Sequence, residues 1–261
     1  MIELSSLLNV FIENWEVVSL FFLVAVLYSS VGFGGGSSYL AILALTGLAY
    51  IQFRAIALLC NIVVVSGGVY IFAKNDHYNW KKVIPLVLLS VPFAFLGGYI
   101  KIDQTSFFSL LGVILILAAF FMWISKFIVS ETKESTKVTS KLKDGAMGGV
   151  IGFISGMVGV GGGVFLAPFL HLTNWDTPKR IAATTSFFIL ANSIAGLLGQ
   201  YQNPDFYFEP NIAFLLMVTV FFGGQIGSRL SATIIQPFVI KRMTAVLIAI
   251  VGIKILFNYL S

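Results

Sequence analysis

The chain has 261 residues, of which 58% are hydrophobic and only 10% are charged, and its formal net charge is +5. Soluble domains carry about 25% charged residues. This composition, with a mean hydropathy of +0.95, therefore excludes an ordinary soluble enzyme or binding domain. The single cysteine, Cys60, excludes an intrachain disulfide and any site with several cysteine ligands. The basic residues lie between apolar runs, as membrane topology requires, so we predict no nucleic-acid partner.

Uncharged runs predict an all-α, polytopic membrane protein. The first run covers residues 17–53, whereas a spanning helix needs only about 20 apolar residues. Glu3, Glu13 and Glu16 precede it, where a cleavable signal peptide would carry positive charge. The later runs cover residues 55–73, 83–100, 104–125, 145–175, 181–204 and 210–228. The lipid bilayer is therefore an expected partner of most of the chain.

The runs divide into two halves joined by a polar linker. The first half, residues 1–128, is predicted to contain segments at 16–31, 37–48, 54–73, 82–100 and 105–127. Residues 129–143 form the predicted cytoplasmic linker. The second half, residues 144–261, is predicted to contain segments at 144–158, 164–171, 179–201, 210–230 and 239–260. Because some segments are short, we expect eight to ten helical segments and leave open whether the short ones span or re-enter.

Each half contains the same glycine-rich stretch inside its first apolar run. The first copy reads VGFGGGSS over residues 31–38, and the second reads VGVGGGVF over residues 158–165, 127 positions later. Glycine loses the most backbone entropy on ordering, so four glycines in five residues break a helix. The pattern predicts glycine-broken helices at corresponding places in the two halves.

The distribution of Lys and Arg gives the two halves opposite orientations. The 74–82 connection holds three lysines, whereas the equivalent 201–209 connection holds no basic residue. Because Lys and Arg favour the cytoplasm, this places 13 of the 16 basic residues inside and both termini on the non-cytoplasmic side. The exceptions are Arg54, Lys101 and Lys254. We therefore predict two inverted-topology repeats, an arrangement in which transporters bind substrate between the repeats.

The carboxylates indicate the charge of the substrate. All eleven lie at the ends of the apolar runs or between them. Transporters driven by protons or sodium commonly place Asp or Glu within a span. Their absence from the spans predicts an anion or a neutral solute. Neither His77 nor His171 has a partner at ligand spacing, so we predict no metal, cofactor or catalytic residue.

The glycine stretches are predicted to bind a small anion. The first amides of a helix lack an internal partner and the helix dipole is positive there, so a helix N-terminus binds an oxyanion without Lys or Arg. Close helix packing is the alternative use of such glycines. The residues predicted to bind substrate here are Gly34, Gly35, Gly36, Ser37, Ser38, Gly161, Gly162 and Gly163.

Polar residues of later helices complete the predicted site. They would either donate hydrogen bonds to an oxyanion or join helices, and the two roles are evenly balanced. The residues assigned to substrate binding are Asn61, Thr184, Thr185, Ser186, Asn192 and Gln225. Arg54 and Arg180 occupy like places in the two halves and are assigned to gating or anion attraction, although arginines at helix ends commonly just snorkel.

These motifs resemble the TauE/SafE sulfite exporter family, also called the toluene-sulfonate uptake permease family. Residues 155–168 read SGMVGVGGGVFLAP, which is similar to the family's G-x-x-G-x-G-G-G-x-x-x-x-P signature. Residues 183–186 (ATTS) and 227–230 (GSRL) are similar to its later helices. The first half departs from the pattern, since Ile42 stands near the expected proline and Cys60-Asn61 near the expected Thr-Ser. The resemblance implies an inner-membrane permease for sulfur-containing anions.

We therefore predict a multi-pass permease of the bacterial inner membrane, and not an enzyme. Its expected substrate is a small sulfur-containing anion such as sulfite or an organosulfonate, exported by alternating access. A homodimer is a candidate assembly. Two alternatives stay open: a membrane-embedded enzyme or sulfur-relay protein that uses Cys60, and a scaffold that transports nothing.

Overall fold

The computed structural model describes residues 4–29, 34–46, 49–124, 140–204, 206–230 and 237–260. Within these ranges the regular structure is helical, which confirms the all-α prediction. The helices are α1 (Leu4–Glu13), α2 (Trp15–Ser29), α3 (Gly36–Leu43), α4 (Tyr50–Lys74), α5 (Trp80–Tyr99), α6 (Gln104–Ile124), α7 (Lys141–Val158), α8 (Gly163–Leu172), α9 (Pro178–Tyr201), α10 (Pro210–Leu230) and α11 (Pro237–Leu260). Residues 31–33 of the first glycine stretch and 129–139 of the predicted linker lie outside the described residues.

Helices α2 to α11 correspond to the ten predicted segments, whereas no segment was expected where α1 lies. α1 has only 10 residues, too few to cross a bilayer, which needs about 20. Residues 7–13 of α1 and the helix α2 meet at an angle of 84°. At the bend, the side-chain amide of Asn14 donates a hydrogen bond to the carbonyl of Val10 at 2.9 Å.

The helices are those of a multi-pass membrane protein. In the described part of the chain, five helices are long and apolar enough to cross a bilayer, and a sixth crossing results if α1 and α2 count as one bent span. Large apolar side chains point outward from them, such as Leu88 with 70% exposure and Phe222 with 57%. Apolar patches of this extent suit contact with lipid chains rather than with water.

α3 and α8 are half-length helices that turn back beside the helix before them. They have 8 and 10 residues, or roughly 12 and 15 Å, about half of the apolar thickness of a bilayer. The ring of Tyr39 in α3 stacks on Phe21 in α2, with centroids 4.6 Å apart. Just after α8, Trp175 Nε1 donates to Asp144 Oδ2 near the start of α7 at 3.2 Å. Both glycine-broken segments are therefore helical hairpins.

Different helices begin and end at the two faces of the helix bundle. We call one the Arg54 face, where Arg54 near the start of α4 and Gln200 near the end of α9 line one pocket. We call the other the Asp176 face, where Lys82 near the start of α5 pairs with Asp176 just before α9. Since α4 begins and α9 ends at the Arg54 face, these equivalent helices run in opposite directions.

Packing partners also correspond between the halves. α2 packs on α10 as α7 packs on α5, and α3 contacts α11 as α8 contacts α6, while α4 and α9 pack on each other. This correspondence is what a twofold relation between repeats would produce. It favours the inverted repeat, which stays a prediction.

α5 and α7 approach closely because α7 presents a row of glycines. Gly148, Gly152 and Gly156 lie against backbone carbonyl groups of α5, where a Cβ atom would collide. Small residues of this kind allow membrane helices to pack backbone against backbone. The contact holds the end of α7, and hence the glycine stretch that follows it, in a defined place.

Candidate functional site

The two glycine stretches touch each other inside the protein. A Cβ atom at Gly36 of the first stretch would collide with the carbonyl oxygen of Val160 in the second. The side chain of Asn61 lies beside this contact, and its Nδ2 donates to the Val160 carbonyl at 3.1 Å. A Cβ atom at Gly34 would lie 2.7 Å from Asn61 Oδ1, and one at Gly161 would lie 2.6 Å from Nδ2. Glycine at these positions is therefore what allows both stretches to approach Asn61.

A small pocket opens where the stretches meet, and we call it the central pocket. Its empty volume, which includes space open to solvent, is about 270 Å³. The lining residues are Tyr28, Gly34, Gly35, Gly36, Ser37, Asn61, Val160, Gly163, Val164 and Ile189. None of these carries a formal charge, and the space suits a solute of few atoms.

Two helix N-termini face the central pocket. α3 begins after Gly35 with a φ of +88°, and α8 begins after Gly162 with a φ of +79°. Glycine adopts this left-handed conformation at little cost. Neither helix has a side-chain hydrogen bond at its N-cap, so the first amides are available to a ligand and the positive ends of both dipoles converge.

Buried polar atoms without a hydrogen-bond partner surround the second stretch. They are Asn61 Oδ1, Ser155 Oγ, Thr185 Oγ1 and Ser193 Oγ. A Cβ atom at Gly161 would lie 3.1 Å from Ser193 Oγ. Because an unpaired buried polar group costs about 1–3 kcal/mol, such a cluster marks a place for a ligand or water.

Ser155, Ser193 and Tyr28 were not among the residues predicted to bind substrate. Ser193 follows Thr185 by eight residues, a spacing that puts both on one face of α9 and could have identified it. Tyr28 hydrogen-bonds to the hydroxyl of Ser38 at 2.9 Å, a contact across the hairpin of α2 and α3 that local sequence does not reveal.

Four other predicted residues lie away from the central pocket. Thr184 and Ser186 donate to carbonyls of their own helix, at 2.8 and 2.9 Å. Asn192 faces α7, where a Cβ atom at Gly152 would lie 3.0 Å from its Oδ1. Gln225 shares with Ser186 a separate pocket of about 310 Å³ between α2, α4, α9 and α10.

The two predicted arginines have different surroundings. Arg54 is buried, with 6% exposure, and its Nη2 lies 3.2–3.4 Å from the carbonyls of Gly97, Gly98 and Gly156. Arg180 is 39% exposed and pairs with the carboxylate of Asp176 at 3.6 Å. Equivalent positions in the sequence therefore hold a buried arginine that bonds only to carbonyls among the described residues, and a partly exposed arginine that is paired with a carboxylate.

Asp176 is the centre of a polar network on its face of the bundle. Its carboxylate lies 3.3 Å from Lys82 Nζ and accepts a hydrogen bond from the amide of Thr177 at 2.8 Å. Lys82 also donates to the carbonyl of Trp175 at 2.6 Å. The carboxylate lies at a helix end, as expected, yet it is buried because this network encloses it.

Cys60 does not reach the central pocket. Its side chain is fully buried and packs within the hydrophobic core formed by α2, α3, α4 and α6. A sulfur relay needs a thiol that a substrate can approach, so the hypothesis of a sulfur-relay enzyme has no support from this geometry.

Known proteins resemble the chain over almost its whole length. Residues 17–255 match the family model described as sulfite exporter TauE/SafE. A probable membrane transporter protein of Sinorhizobium fredii is 33% identical over 237 residues, which cover 90% of this chain and 95% of that protein. A probable membrane transporter protein of Methanocaldococcus jannaschii is 26% identical over 255 residues, covering 90% and 92%. No solved structure matches the chain. Because the family match includes both glycine stretches and all five long apolar helices, the chain is a membrane transporter that belongs to the sulfite exporter TauE/SafE family.

Proposed function

We propose that this transporter carries a small oxyanion, which binds in the central pocket between the N-termini of α3 and α8. The observation that carries the proposal is the convergence of two uncapped helix N-termini on one pocket whose lining residues include no charged side chain. Their amides and dipoles are then the main source of positive potential in the pocket. Such an arrangement favours an anion over a cation.

The proposed substrate is sulfite or a small organosulfonate. The family is described as sulfite exporters, and the small size of the central pocket favours a compact anion. The unpartnered oxygen Asn61 Oδ1 adds a further criterion. A singly protonated oxyanion such as hydrogensulfite can accept hydrogen bonds from the helix amides. Its hydroxyl can also donate a hydrogen bond to this oxygen.

The proposed mechanism is alternating access with export across the bacterial inner membrane. Opposite directions of α4 and α9 support two inverted repeats that rock around the central pocket. An inside-negative membrane potential favours the exit of an anion from the cell. The potential contributes about 2.3 kcal/mol for each charge at each 100 mV. Export therefore needs no coupling ion. The proposal includes both termini on the non-cytoplasmic side, and a homodimer stays a candidate.

The test is the current that a sulfite gradient drives across proteoliposomes containing the purified chain. We expect an outward anion current that reverses with the gradient and is absent from protein-free liposomes. Competition by thiosulfate, sulfoacetate, sulfate and acetate then ranks the substrates, with the sulfur oxyanions above acetate. Electroneutral flux that follows an imposed pH gradient would contradict uncoupled export, and preference for acetate would contradict the substrate class.

A further inference from the structure

We propose that the pocket on the Arg54 face is a second oxyanion site, separate from the central pocket. We call it the Arg54 pocket; it has an empty volume of about 360 Å³, and Tyr50, Arg54, Lys101, Gln200 and Asn203 are among its lining residues. Its ligand class is a small oxyanion such as sulfite or sulfate. The location of the Arg54 pocket at one end of an anion path rests on the proposed function, whereas oxyanion binding in this pocket does not.

The first observation is the buried charge of Arg54. The residue is 6% exposed, its Nη2 makes only long hydrogen bonds of 3.2–3.4 Å to carbonyls, and its Nε has no partner. Among the described residues no carboxylate forms an ion pair with it. A buried charge is expensive unless an opposite charge compensates it. An oxyanion in the pocket supplies that charge and accepts from the guanidinium fork.

The second observation is an independent donor in the same pocket. Gln200, at the end of α9, is 3% exposed, and its Nε2 has no hydrogen-bond partner. It lies on a different helix from Arg54, yet both line the Arg54 pocket. Two buried residues that line one cavity, each with an unpaired donor, are what an oxyanion site requires.

The distribution of basic residues points to the same place. Arg54 and Lys101 are two of the three basic residues that the predicted topology leaves outside the cytoplasmic side, against the positive-inside rule. Both line the Arg54 pocket. Basic residues on the non-cytoplasmic side oppose the topology signal, so a binding role there explains their presence better than topology does.

The Arg54 pocket adjoins the second glycine stretch. A Cβ atom at Gly159 would lie 2.9 Å from the Cα atom of Arg54. We therefore place the Arg54 pocket next to the central pocket on the proposed export path. The equivalent arginine, Arg180, is neutralised by Asp176, so we place the second site on one face only.

The test is equilibrium binding of ³⁵S-labelled sulfite to the purified full chain in nanodiscs of phosphatidylcholine. We expect two sites per chain in the unmodified protein. Arg54→Gln should weaken one of them at least about tenfold, because it removes a charge-assisted hydrogen bond. Gln200→Ala should weaken the same site, and since Gln200 Nε2 has no hydrogen-bond partner among the described residues, its removal breaks no hydrogen bond of that nitrogen. Lys254→Gln is the matched control: Lys254 is an exposed basic residue that lines neither pocket, so its substitution should leave both sites unchanged.

The outcomes separate the two proposals. If the Arg54→Gln and Gln200→Ala variants both keep two unaltered sites, the second site is overturned. It is also overturned if the unmodified chain has a single site that only Asn61→Asp removes. If Arg54→Gln removes one site while the Asn61→Asp variant binds sulfite as the unmodified chain does, the second site is supported and the central pocket is contradicted. An anionic lipid headgroup offers the same chemistry. If phosphatidylglycerol in the nanodiscs stabilises the chain through Arg54 while sulfite does not bind there, the solute site is overturned.

Discussion

At the residue scale, Asn61 is the side chain that both glycine stretches contact. It donates to Val160 at 3.1 Å, is fully buried and keeps its Oδ1 without a partner. In the sequence it is one of two amide side chains in an apolar helix, and its pattern indicates substrate binding and helix packing about equally. Contacts from the two halves of the chain give it a defined place in the pocket.

We expect Asn61→Asp to abolish sulfite transport while preserving the shape of the side chain. A negative charge about 4 Å from a bound anion costs about 4 kcal/mol at an effective dielectric of 20, equivalent to a roughly thousandfold loss of affinity. The measurement is sulfite flux in proteoliposomes. The matched control is Cys60→Ser, one residue away and packed in the core, which should retain the flux. Undiminished transport by Asn61→Asp would exclude an anion site at this pocket.

At the element scale, the glycine caps decide where α3 and α8 begin. Gly162 has a φ of +79°, and a Cβ atom there would lie 2.8 Å from the ring of Phe188. Gly68, within α4, has no atom within 4 Å of a Cβ position. The two glycines therefore respond oppositely to the same substitution.

Gly162→Ala should destabilise the protein by about 1–2 kcal/mol, because alanine is strained in the left-handed conformation of this residue. The close contact with Phe188 adds to this destabilisation. Gly68→Ala should be neutral or stabilise by up to about 1 kcal/mol, because alanine orders in a helix at lower entropic cost. Melting temperatures in detergent compare the two variants. An equal melting temperature for Gly162→Ala and the unmodified chain would show that α8 does not need a left-handed cap.

The network on the Asp176 face joins the starts of α5 and α9. Because the Asp176 side chain is only 5% exposed and lies 3.3 Å from Lys82, removal of its charge leaves a largely buried ammonium group without its partner. We expect Asp176→Asn to lower the unfolding free energy by about 2–4 kcal/mol, measured by denaturation in detergent. Glu13→Gln, which alters an exposed carboxylate, should have no such effect. Equal stability of both variants would show that the network contributes nothing.

At the scale of the whole molecule, the proposed mechanism depends on opposite orientations of the two halves. Asn75, after α4, and Gln202, after α9, are both exposed and occupy equivalent connections. In a Cys60→Ser background, Gln202→Cys should react with a membrane-impermeant maleimide on intact cells. Asn75→Cys should react only after permeabilisation. Labelling of both from the same side would contradict the inverted repeat and the predicted location of the termini.

The sequence determined the membrane class, ten of the described helices and the position of both glycine breaks, since charge, apolar length and glycine content act locally. It also placed Gly34 to Gly36, Gly161 to Gly163 and Asn61 near a single site through the repeat. These features follow from short-range backbone entropy and from the cost of charge in lipid.

Only the tertiary structure decided how these elements are used. It made α3 and α8 hairpins rather than spans, because the contacts that turn them back, such as Trp175 to Asp144, join residues 31 positions apart. It buried Arg54 with no ion pair to any described residue and paired Arg180 with Asp176, although the two arginines occupy equivalent places in the sequence. It added Ser193 and Gln200 as unpartnered donors. Burial and hydrogen bonding depend on neighbours from other helices, so a linear pattern cannot assign them.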